Sequence, residues 1–294
     1  MEVFAAFSLA RSSYLLASTP EEYQKSLALT QESLAVIQKY KNPSLESYLN
    51  SQMGDNYNNL GEFEKAIAFA QKGLTIAQEI KDQPRKTYAL LVIGQAYYQA
   101  ANTPQEYQKS LEFMQQALNL SREIKEPIFE TLALIYLANI YNQLEDYQKT
   151  LEFGELSLKL SQEIKNPQAQ LFPLFSLLSV YAELGEYQKV IELSEKGLIL
   201  AKEIDNPAVE SALLVMLSVG YFGEGNFQKT VDLSQQALTV SRNLKNPQFE
   251  AYSLLVLALG YTSLENNGKA RSPTPQHRKS LNLSIRIIQC SRRL

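Results

Sequence analysis

The stretch GEYQKVI at residues 185–191 decides the fold, because most of it recurs elsewhere in the same chain. TPQEYQKSL at residues 103–111 contains the same Glu-Tyr-Gln-Lys sequence. Close copies are EYQK from Glu22, EFEK from Glu62, DYQK from Asp146 and NFQK from Asn226. A catalytic site is built once in a chain, whereas a structural module can be repeated. The recurrence therefore predicts a repeat protein.

Two independent markers give the repeat a period of about 40 residues. The aromatic residues of the motif are spaced by 40, 44, 40, 40 and 40 residues, at Tyr23, Phe63, Tyr107, Tyr147, Tyr187 and Phe227. A proline recurs within K-N-P or a close variant, at Pro43, Pro84, Pro127, Pro167, Pro207 and Pro247. Because both markers keep one period, we expect the repeat to extend over nearly the whole chain.

The apolar residues inside one repeat follow helical spacing. Leu174, Leu177 and Tyr181 lie on one face of a first helix. Gly185 then predicts a tight turn, and a second helix continues from Tyr187. Each repeat is therefore predicted to be a pair of helices, and the fold class is predicted to be all-α.

The turns between helices carry signals of their own. Asn206 can cap the helix that follows it, and Pro207 suits the first helical turn, where an N–H group is not needed. Four extra residues occur at Thr19–Glu22 and again at Thr103–Glu106, each with the threonine-to-glutamate spacing of a capping box. Pro173 lies inside an expected first helix and should kink that helix or delay its start.

The residues within one repeat identify its type, since a period near 40 is also compatible with HEAT and armadillo repeats. Seven residues between Asn50 and Leu74 fall at the offsets of the tetratricopeptide consensus, namely Gly54, Tyr57, Leu60, Gly61, Phe63, Ala66 and Leu74. The chain resembles the long-repeat tetratricopeptide arrays of kinesin light chains and of bacterial signalling proteins. It departs from the consensus by lacking tryptophan, and it keeps the small residue of the second helix only at Ala66.

This resemblance implies an α-solenoid, a right-handed superhelix of about seven helix pairs. The pairs are expected to begin near residues 1, 43, 84, 127, 167, 207 and 247, so that the array covers residues 1–265. Residues 266–294 carry seven Lys or Arg and no acid, and they are expected to form a degenerate basic last loop and a capping helix.

The repeated motif itself has a structural explanation. Its aromatic residue is expected to pack as a wedge between the two helices of its own repeat and the next one, and its lysine to lie on the solvated outer face. An aromatic ligand-binding box is the alternative. Buried aromatic residues at helical spacing are more often core residues, which favours the wedge.

Composition limits the class of protein further. The chain has 294 residues, of which 45% are hydrophobic and 20% charged, and this composition is neither disordered nor fibrous. Its longest apolar runs are far too short for a membrane span. A single cysteine, Cys290, excludes an internal disulfide, so we expect a cytoplasmic location.

The residues that could support catalysis or metal binding are few. His277 is the only histidine and Cys290 the only cysteine, whereas a zinc site needs three or four ligands. Gly223-Glu224-Gly225 resembles a phosphate-binding loop only faintly, because it follows a helix rather than a strand. We therefore predict that the chain is not an enzyme and has neither a cofactor nor a metal site.

The resemblance also implies a binding face, because one stripe of each first helix lines the concave side of a tetratricopeptide superhelix. The repeat register places ten candidate peptide-binding residues there: Tyr48, Asp55, Asn58, Tyr88, Gln95, Tyr98, Asn139, Asn142, Phe172 and Phe175. Amides can donate to and accept from a peptide backbone, and aromatic neighbours can receive an apolar anchor. The alternative is that the amides are only solvated and that a neighbouring domain or the chain's own loop covers the apolar end.

Two functions follow from these observations. The first is a non-catalytic scaffold that binds a peptide or protein segment in its concave groove, and an oligomer is compatible with it. The second is a regulatory or sensor arm of a larger bacterial signalling protein or effector, with a protease or ATPase as partner. Nucleic-acid binding through the basic end is not favoured, because no aromatic residue follows Tyr261 to stack on bases.

Overall fold

The computed structural model of the protein describes residues 2–266, and all the regular secondary structure in that range is α-helical. The helices are α1 (Glu2–Leu16), α2 (Pro20–Lys39), α3 (Pro43–Asn59), α4 (Phe63–Glu79), α5 (Gln83–Ala100), α6 (Tyr107–Glu123), α7 (Pro127–Gln143), α8 (Tyr147–Glu163), α9 (Pro167–Glu183), α10 (Tyr187–Glu203), α11 (Pro207–Gly223), α12 (Phe227–Asn243) and α13 (Pro247–Asn266). The all-α prediction is confirmed. The loop and capping helix predicted after residue 266, with His277 and Cys290, lie outside the described residues.

The chain forms two compact units, an N-terminal unit of Met1–Asp146 and a C-terminal unit of Tyr147–Leu294. Helices α1–α7 belong to the first unit and α8–α13 to the second. Within each unit every helix packs against the next one along the chain. Short connections between antiparallel neighbours produce this arrangement of stacked helix pairs, which is that of an α-solenoid.

The odd-numbered helices also pack directly on one another. In the N-terminal unit α1 contacts α3, α3 contacts α5, and α5 contacts α7; in the C-terminal unit α9 contacts α11, and α11 contacts α13. These are the first helices of successive repeats. They form an inner layer in each unit, and the even-numbered helices flank it.

The turn from one repeat to the next has a constant geometry. A residue with positive φ follows the second helix, as at Lys165 with φ 51° and Asp205 with φ 50°. At these two turns the next residue caps the following helix: the Asn166 side chain accepts from the N–H of Ala169, and the Asn206 side chain accepts from that of Val209. The equivalent Glu126 before α7 makes no such bond. The predicted Asn-Pro helix start is therefore confirmed.

The two predicted capping boxes, each in a turn inside a repeat, have different structures. Thr19 and Glu22 form the complete box, and α2 begins at Pro20. At the second site the carboxylate of Glu106 accepts a hydrogen bond from the backbone N–H of Thr103, but α6 does not begin until Tyr107. The second insertion therefore forms a turn ahead of the helix rather than its first residues.

Pro173 lies in the interior of α9, where it is buried. The helix nevertheless begins at Pro167, so the expectation of a delayed start is wrong. Proline has no N–H to donate to the carbonyl of Ala169, yet α9 runs from Pro167 to Glu183, and the Asn166 cap described above holds its first turn.

Three of the six motif aromatic residues are buried and pack as wedges. Tyr107, Tyr187 and Phe227 are 3%, 7% and 4% exposed. Gly223 of the following repeat lies directly against the ring of Tyr187, which confirms that this ring fills the joint between two repeats. A side chain larger than hydrogen at residue 223 would overlap the ring.

The motif lysine has a partner that the sequence analysis did not predict. Its ammonium group lies over the ring of a tyrosine on the first helix of the same repeat, at 4.6 Å for Lys189 over Tyr181 and 4.4 Å for Lys229 over Tyr221. The same contact recurs in two further repeats, as Lys65 over Tyr57 and Lys109 over Tyr97. The lysine is solvated, but it also joins the two helices of its repeat by a cation–π contact.

Candidate functional site

The ten candidate residues fall into two groups, one in each unit. Eight lie on inner-layer helices of the N-terminal unit: Tyr48, Asp55 and Asn58 on α3, Tyr88, Gln95 and Tyr98 on α5, and Asn139 and Asn142 on α7. The other two, Phe172 and Phe175, lie on α9 of the C-terminal unit. Each group is therefore considered separately.

Helix α3 has an unusually polar buried face. Its buried residues include Ser47, Asn50, Ser51, Gln52, Asp55, Asn56 and Asn58. By contrast, the buried face of α9 is mainly apolar, with Leu171, Leu174, Leu177 and Leu178. Buried polar groups lower stability unless they are hydrogen-bonded, so such a helix is costly for a purely structural element. The polar buried face of α3 therefore indicates a functional role for this part of the inner layer.

Asp55 occupies the centre of this polar face and is only 8% exposed. Its Oδ2 accepts a hydrogen bond of 2.6 Å from the Tyr14 hydroxyl of α1 and one of 3.2 Å from the Tyr88 hydroxyl of α5. Three consecutive inner-layer helices therefore meet at one carboxylate. Burial raises the pKa of Asp55 above its usual value, while the two tyrosine hydrogen bonds act in the opposite direction.

The tyrosines around Asp55 respond to its charge. Burial first, and then the negative charge of Asp55, raise the pKa of Tyr14, of Tyr88 and of Tyr136 well above the usual range. All three tyrosines therefore remain neutral hydrogen-bond donors at physiological pH. Because Tyr136 lies on α7, the electrostatic influence of Asp55 reaches all four inner-layer helices of this unit.

A run of stacked rings crosses the same layer. Phe7 contacts Tyr48 edge to face at 5.2 Å between ring centroids, Tyr48 stacks on Tyr88 at 5.3 Å, and Tyr88 stacks on Phe129 at 6.4 Å. The four residues lie on α1, α3, α5 and α7, and each is half-buried. The guanidinium of Arg85 lies 4.7 Å from the ring centre of Tyr48.

A second set of aromatic contacts surrounds Tyr98. Its ring meets that of Tyr136 at 5.9 Å in a T-shaped pair, and that of the motif residue Tyr107 at 5.8 Å. Edge-to-face and tilted pairs of this kind hold the rings in fixed orientations. The structure therefore places Tyr48 and Tyr88 in one run of contacting rings and Tyr98 in a second cluster.

The four candidate amides are not equivalent. Gln95 and Asn139 are half-buried, whereas Asn58 and Asn142 are 3% and 7% exposed. The Nδ2 of Asn58 donates at 3.1 Å to the backbone carbonyl of Val92, which ties α3 to α5. Of these four amides, Gln95 and Asn139 are the two that keep substantial accessible surface.

The two phenylalanines of the C-terminal unit also differ. Phe172 is 59% exposed, whereas Phe175 is half-buried and packs against the apolar core of that unit. A separate groove of about 280 Å³ lies between α8, α9 and α10 of the same unit. Its walls include Leu158, Leu174 and Ile199, and the sequence analysis did not predict it.

Five residues of the N-terminal surface were not among the candidates: Phe7, Tyr14, Arg85, Phe129 and Tyr136. A sequence signal existed for Tyr14, because it lies 44 residues before Asn58 and therefore shares its register when the first four-residue insertion is counted. Phe129 and Tyr136 lie off the candidate register of α7, so spacing alone could not identify them.

The described residues lack two other features, a cluster of metal ligands and a membrane span. Within residues 2–266, no three His, Cys, Asp or Glu side chains are grouped as metal ligands would be. Among the helices of that same range, none combines the length and hydropathy of a membrane span.

Comparisons with known proteins show the fold. No protein-family model matches the chain, and no curated protein matches its sequence. A solved STAND signal-transduction ATPase with a tetratricopeptide-repeat sensor, from Pyrococcus horikoshii, superposes with a TM-score of 0.72 at 19% identity, covering 98% of this chain and 42% of that protein. This chain therefore spans less than half of that protein's length.

Two further structures superpose over most of this chain. The apo form of the quorum sensor NprR from B. thuringiensis gives a TM-score of 0.66 at 15% identity and covers 96% of this chain and 80% of its own. A Rap protein complexed with Competence and Sporulation Factor gives 0.64 at 13% identity, with 90% and 76% coverage. The stacked helix pairs, their motif joints and these superpositions agree: the chain has the tetratricopeptide-repeat fold.

Proposed function

We propose that the chain is a non-catalytic interaction module that binds an extended peptide or protein segment along the inner layer of its N-terminal unit. The observation that carries this proposal is the run of half-buried rings Phe7, Tyr48, Tyr88 and Phe129. Because each of the four inner-layer helices contributes one ring, the run forms a continuous apolar track across the unit.

The track is suited to recognition because its rings are already fixed. Tyrosine and phenylalanine offer a large contact area with few rotatable bonds, so little side-chain entropy is lost when a ligand binds. Neighbouring rings hold each other in the track, as Tyr48 and Tyr88 do at 5.3 Å. Preorganisation of this kind increases affinity by lowering the cost of ordering the site.

The polar neighbours of the track fit a peptide main chain. Gln95 and Asn139 occupy equivalent register positions on α5 and α7 and are half-buried. A primary amide can donate to a peptide carbonyl and accept from a peptide N–H, whatever side chains the peptide carries. We therefore assign main-chain contacts to Gln95 and Asn139, and side-chain contacts to the rings.

Two of the structural relatives support an interaction role. The Rap protein was solved in a complex with a factor, and the STAND protein contains a repeat sensor. Neither the identity of those ligands nor their positions is transferred to this chain. The proposal depends on the inner-layer geometry described above.

A second candidate function is a regulatory or sensor arm attached to an effector such as an ATPase. The observation that favours it is the superposition on the STAND protein, in which an array of this size makes up 42% of a larger chain. An ATPase or protease domain encoded next to this segment would support the arm. The two functions are compatible, because a sensor also has to bind its signal.

The groove proposal can be tested with a phage-displayed library of random decapeptides. Peptides enriched on the wild-type chain should bind a Tyr48→Ala/Tyr88→Ala double variant at least tenfold more weakly, since it loses two central rings of the track. Tyr40→Ala is the matched control, because Tyr40 is an exposed tyrosine of the same unit at the end of α2.

Two outcomes of this experiment would contradict the proposal. One is that no peptide is enriched on a chain whose helicity by circular dichroism is intact. The other is that the double variant binds as well as the wild type while the Tyr40→Ala control does not. A Phe172→Ala variant, measured in parallel, shows whether the C-terminal unit also contributes.

A further inference from the structure

We propose that Asp55 and the tyrosines around it form a subsite for one basic side chain, lysine or arginine, of the segment bound on the inner layer. This inference rests on the proposed function and specifies the ligand that the surface selects. It is carried by a charge without a countercharge, by an oxygen without a donor, and by the aromatic surroundings of both.

The first observation is the missing countercharge. Asp55 is 8% exposed, and within residues 2–266 no lysine or arginine nitrogen forms an ion pair with it. Buried carboxylates in proteins are normally paired with a cation or coordinate a metal, because an unpaired buried charge is strongly destabilising. Among residues 2–266 Asp55 therefore has hydrogen bonds but no cation partner, and those residues leave its charge unpaired.

The second observation is the state of the two carboxylate oxygens. Both tyrosine hydroxyls donate to the same atom, Oδ2. Among the described residues, no group donates to Oδ1. The hydrogen bonds from Tyr14 on α1 and Tyr88 on α5 fix the carboxylate within the inner layer, so that Oδ1 can accept a further donor. An ammonium or guanidinium group would supply both that donor and the missing charge.

The third observation is the aromatic surroundings. Tyr14 and Tyr88 touch the carboxylate directly, and Tyr136 is close enough for the charge of Asp55 to shift its titration. The ring of Tyr48 adds to these surroundings by stacking on Tyr88, and the ring of Tyr98 adds to them by its contact with Tyr136. Aromatic faces attract cations, and the attraction is stronger where water is partly excluded.

The flanking charges limit how basic the ligand can be. Arg85 lies over the ring of Tyr48, and the positive charges of Arg11 and Arg85 both act on that tyrosine. A second cation of the ligand placed near Tyr48 would be repelled by these two charges, which act on Tyr48 and not on Asp55. The site is therefore suited to a single basic residue in a neutral or acidic sequence, rather than to a polybasic segment.

The repeat register shows that this subsite is unique among the inner-layer helices. Positions equivalent to Asp55 are Arg11, Gln95, Asn139, Ser179, Val219 and Leu259, none of which is acidic. Since the acid occurs once, a bound segment with one basic residue can adopt only one offset along the track. Asp55 would thus fix the register of the ligand, while the ring track supplies most of the contact area.

A positional-scanning decapeptide array tests the inference on the full chain. Pools with lysine or arginine fixed at one position should be retained about tenfold more strongly than pools with norleucine there, as expected for a charge-assisted hydrogen bond. Asp55→Asn keeps the size and an acceptor for both tyrosines, and it should abolish the preference. Asp205→Asn, which removes an exposed carboxylate in a turn of the other unit, is the charge-matched control and should retain the preference.

A second variant tests the role of the two tyrosine hydroxyls separately from that of the carboxylate. Tyr14→Phe/Tyr88→Phe removes both hydroxyls but keeps both rings, so the lysine and arginine preference should persist, although weaker. Equal retention of lysine and norleucine pools, with binding still lost in Tyr48→Ala/Tyr88→Ala, would overturn the cation subsite and leave the groove proposal intact. A wild-type chain that retains no pool at all would overturn both.

Discussion

Gly223 lies so close to Tyr187 that a Cβ atom at residue 223 would be only 2.1 Å from Cγ of the ring. The two residues belong to successive repeats, so this contact is one of the joints that hold the C-terminal unit together. Glycine is required here by the close approach of a helix to a ring rather than by its backbone conformation.

We expect Gly223→Ala to lower the free energy of unfolding by about 3 kcal/mol, because the added methyl must displace the ring or separate the helices. Urea denaturation followed by circular dichroism measures the loss. In a Tyr187→Leu background the same substitution should cost much less, since the smaller side chain leaves room. An equal cost in both backgrounds would show that the ring is not the obstacle.

The positive-φ residues between repeats provide a second prediction. Lys165 has φ 51°, a conformation that glycine adopts without strain. Lys165→Gly should therefore raise the free energy of unfolding by about 0.5 kcal/mol, after allowing for the greater freedom of glycine in the unfolded chain. Lys159→Gly, inside α8, is the control and should lower it by about 1 kcal/mol. If both variants lose stability to the same extent, the turn is not strained.

The aromatic residue and the lysine of one motif copy should contribute unequally to stability. Phe227 is 4% exposed, so Phe227→Ala should cost about 3 kcal/mol or more. The Lys229 ammonium lies 4.4 Å from the ring centre of Tyr221, and the lysine is exposed to solvent. Lys229→Ala should therefore cost about 0.5 kcal/mol. Thermal unfolding of both variants at equal protein concentration gives the comparison. Similar losses would mean that the lysine contact matters more than its exposure indicates.

Asp55 provides a prediction on pH. Burial raises its pKa in the folded chain, so its protonation favours folding. The contribution is fully present below the unfolded pKa of about 3.9 and is lost as pH rises through the folded value. Asp55→Asn should therefore be more stable than the wild type at pH 7 and lose that advantage near pH 4. A difference independent of pH would show that the carboxylate is not desolvated.

The fold was largely predictable because its signals are local and repeated. The Asn-Pro helix start depends on a cap and on a fixed proline φ, and both act within one turn of chain, as Asn166 and Asn206 show. Spacing also identified the buried wedge residue Tyr187. Of the two alternatives at Pro173, only the delayed start is wrong, because a helix can lose one hydrogen bond and continue.

The candidate surface was less predictable, because its contacts join residues far apart in sequence. Tyr14 and Asp55 are 41 residues apart, and only the packing of α1 on α3 shows that they share a hydrogen bond. The register placed Asp55 and Asn58 on one face, but it could not show that Asn58 binds Val92. Side-chain direction and hydrogen-bond pairing follow from the packed helices rather than from spacing.

The recurring turn between repeats has a consequence for how the number of repeats can change during evolution. Lys165 and Asp205 share the same backbone conformation, and each is followed by an asparagine cap and a proline. An excision that joins Asn166 to Pro207 therefore restores a turn of the original type and removes one whole helix pair. Recombination at these turns can add or delete repeats without creating a new kind of junction, so gene rearrangement can adjust the extent of the inner layer in steps of one repeat.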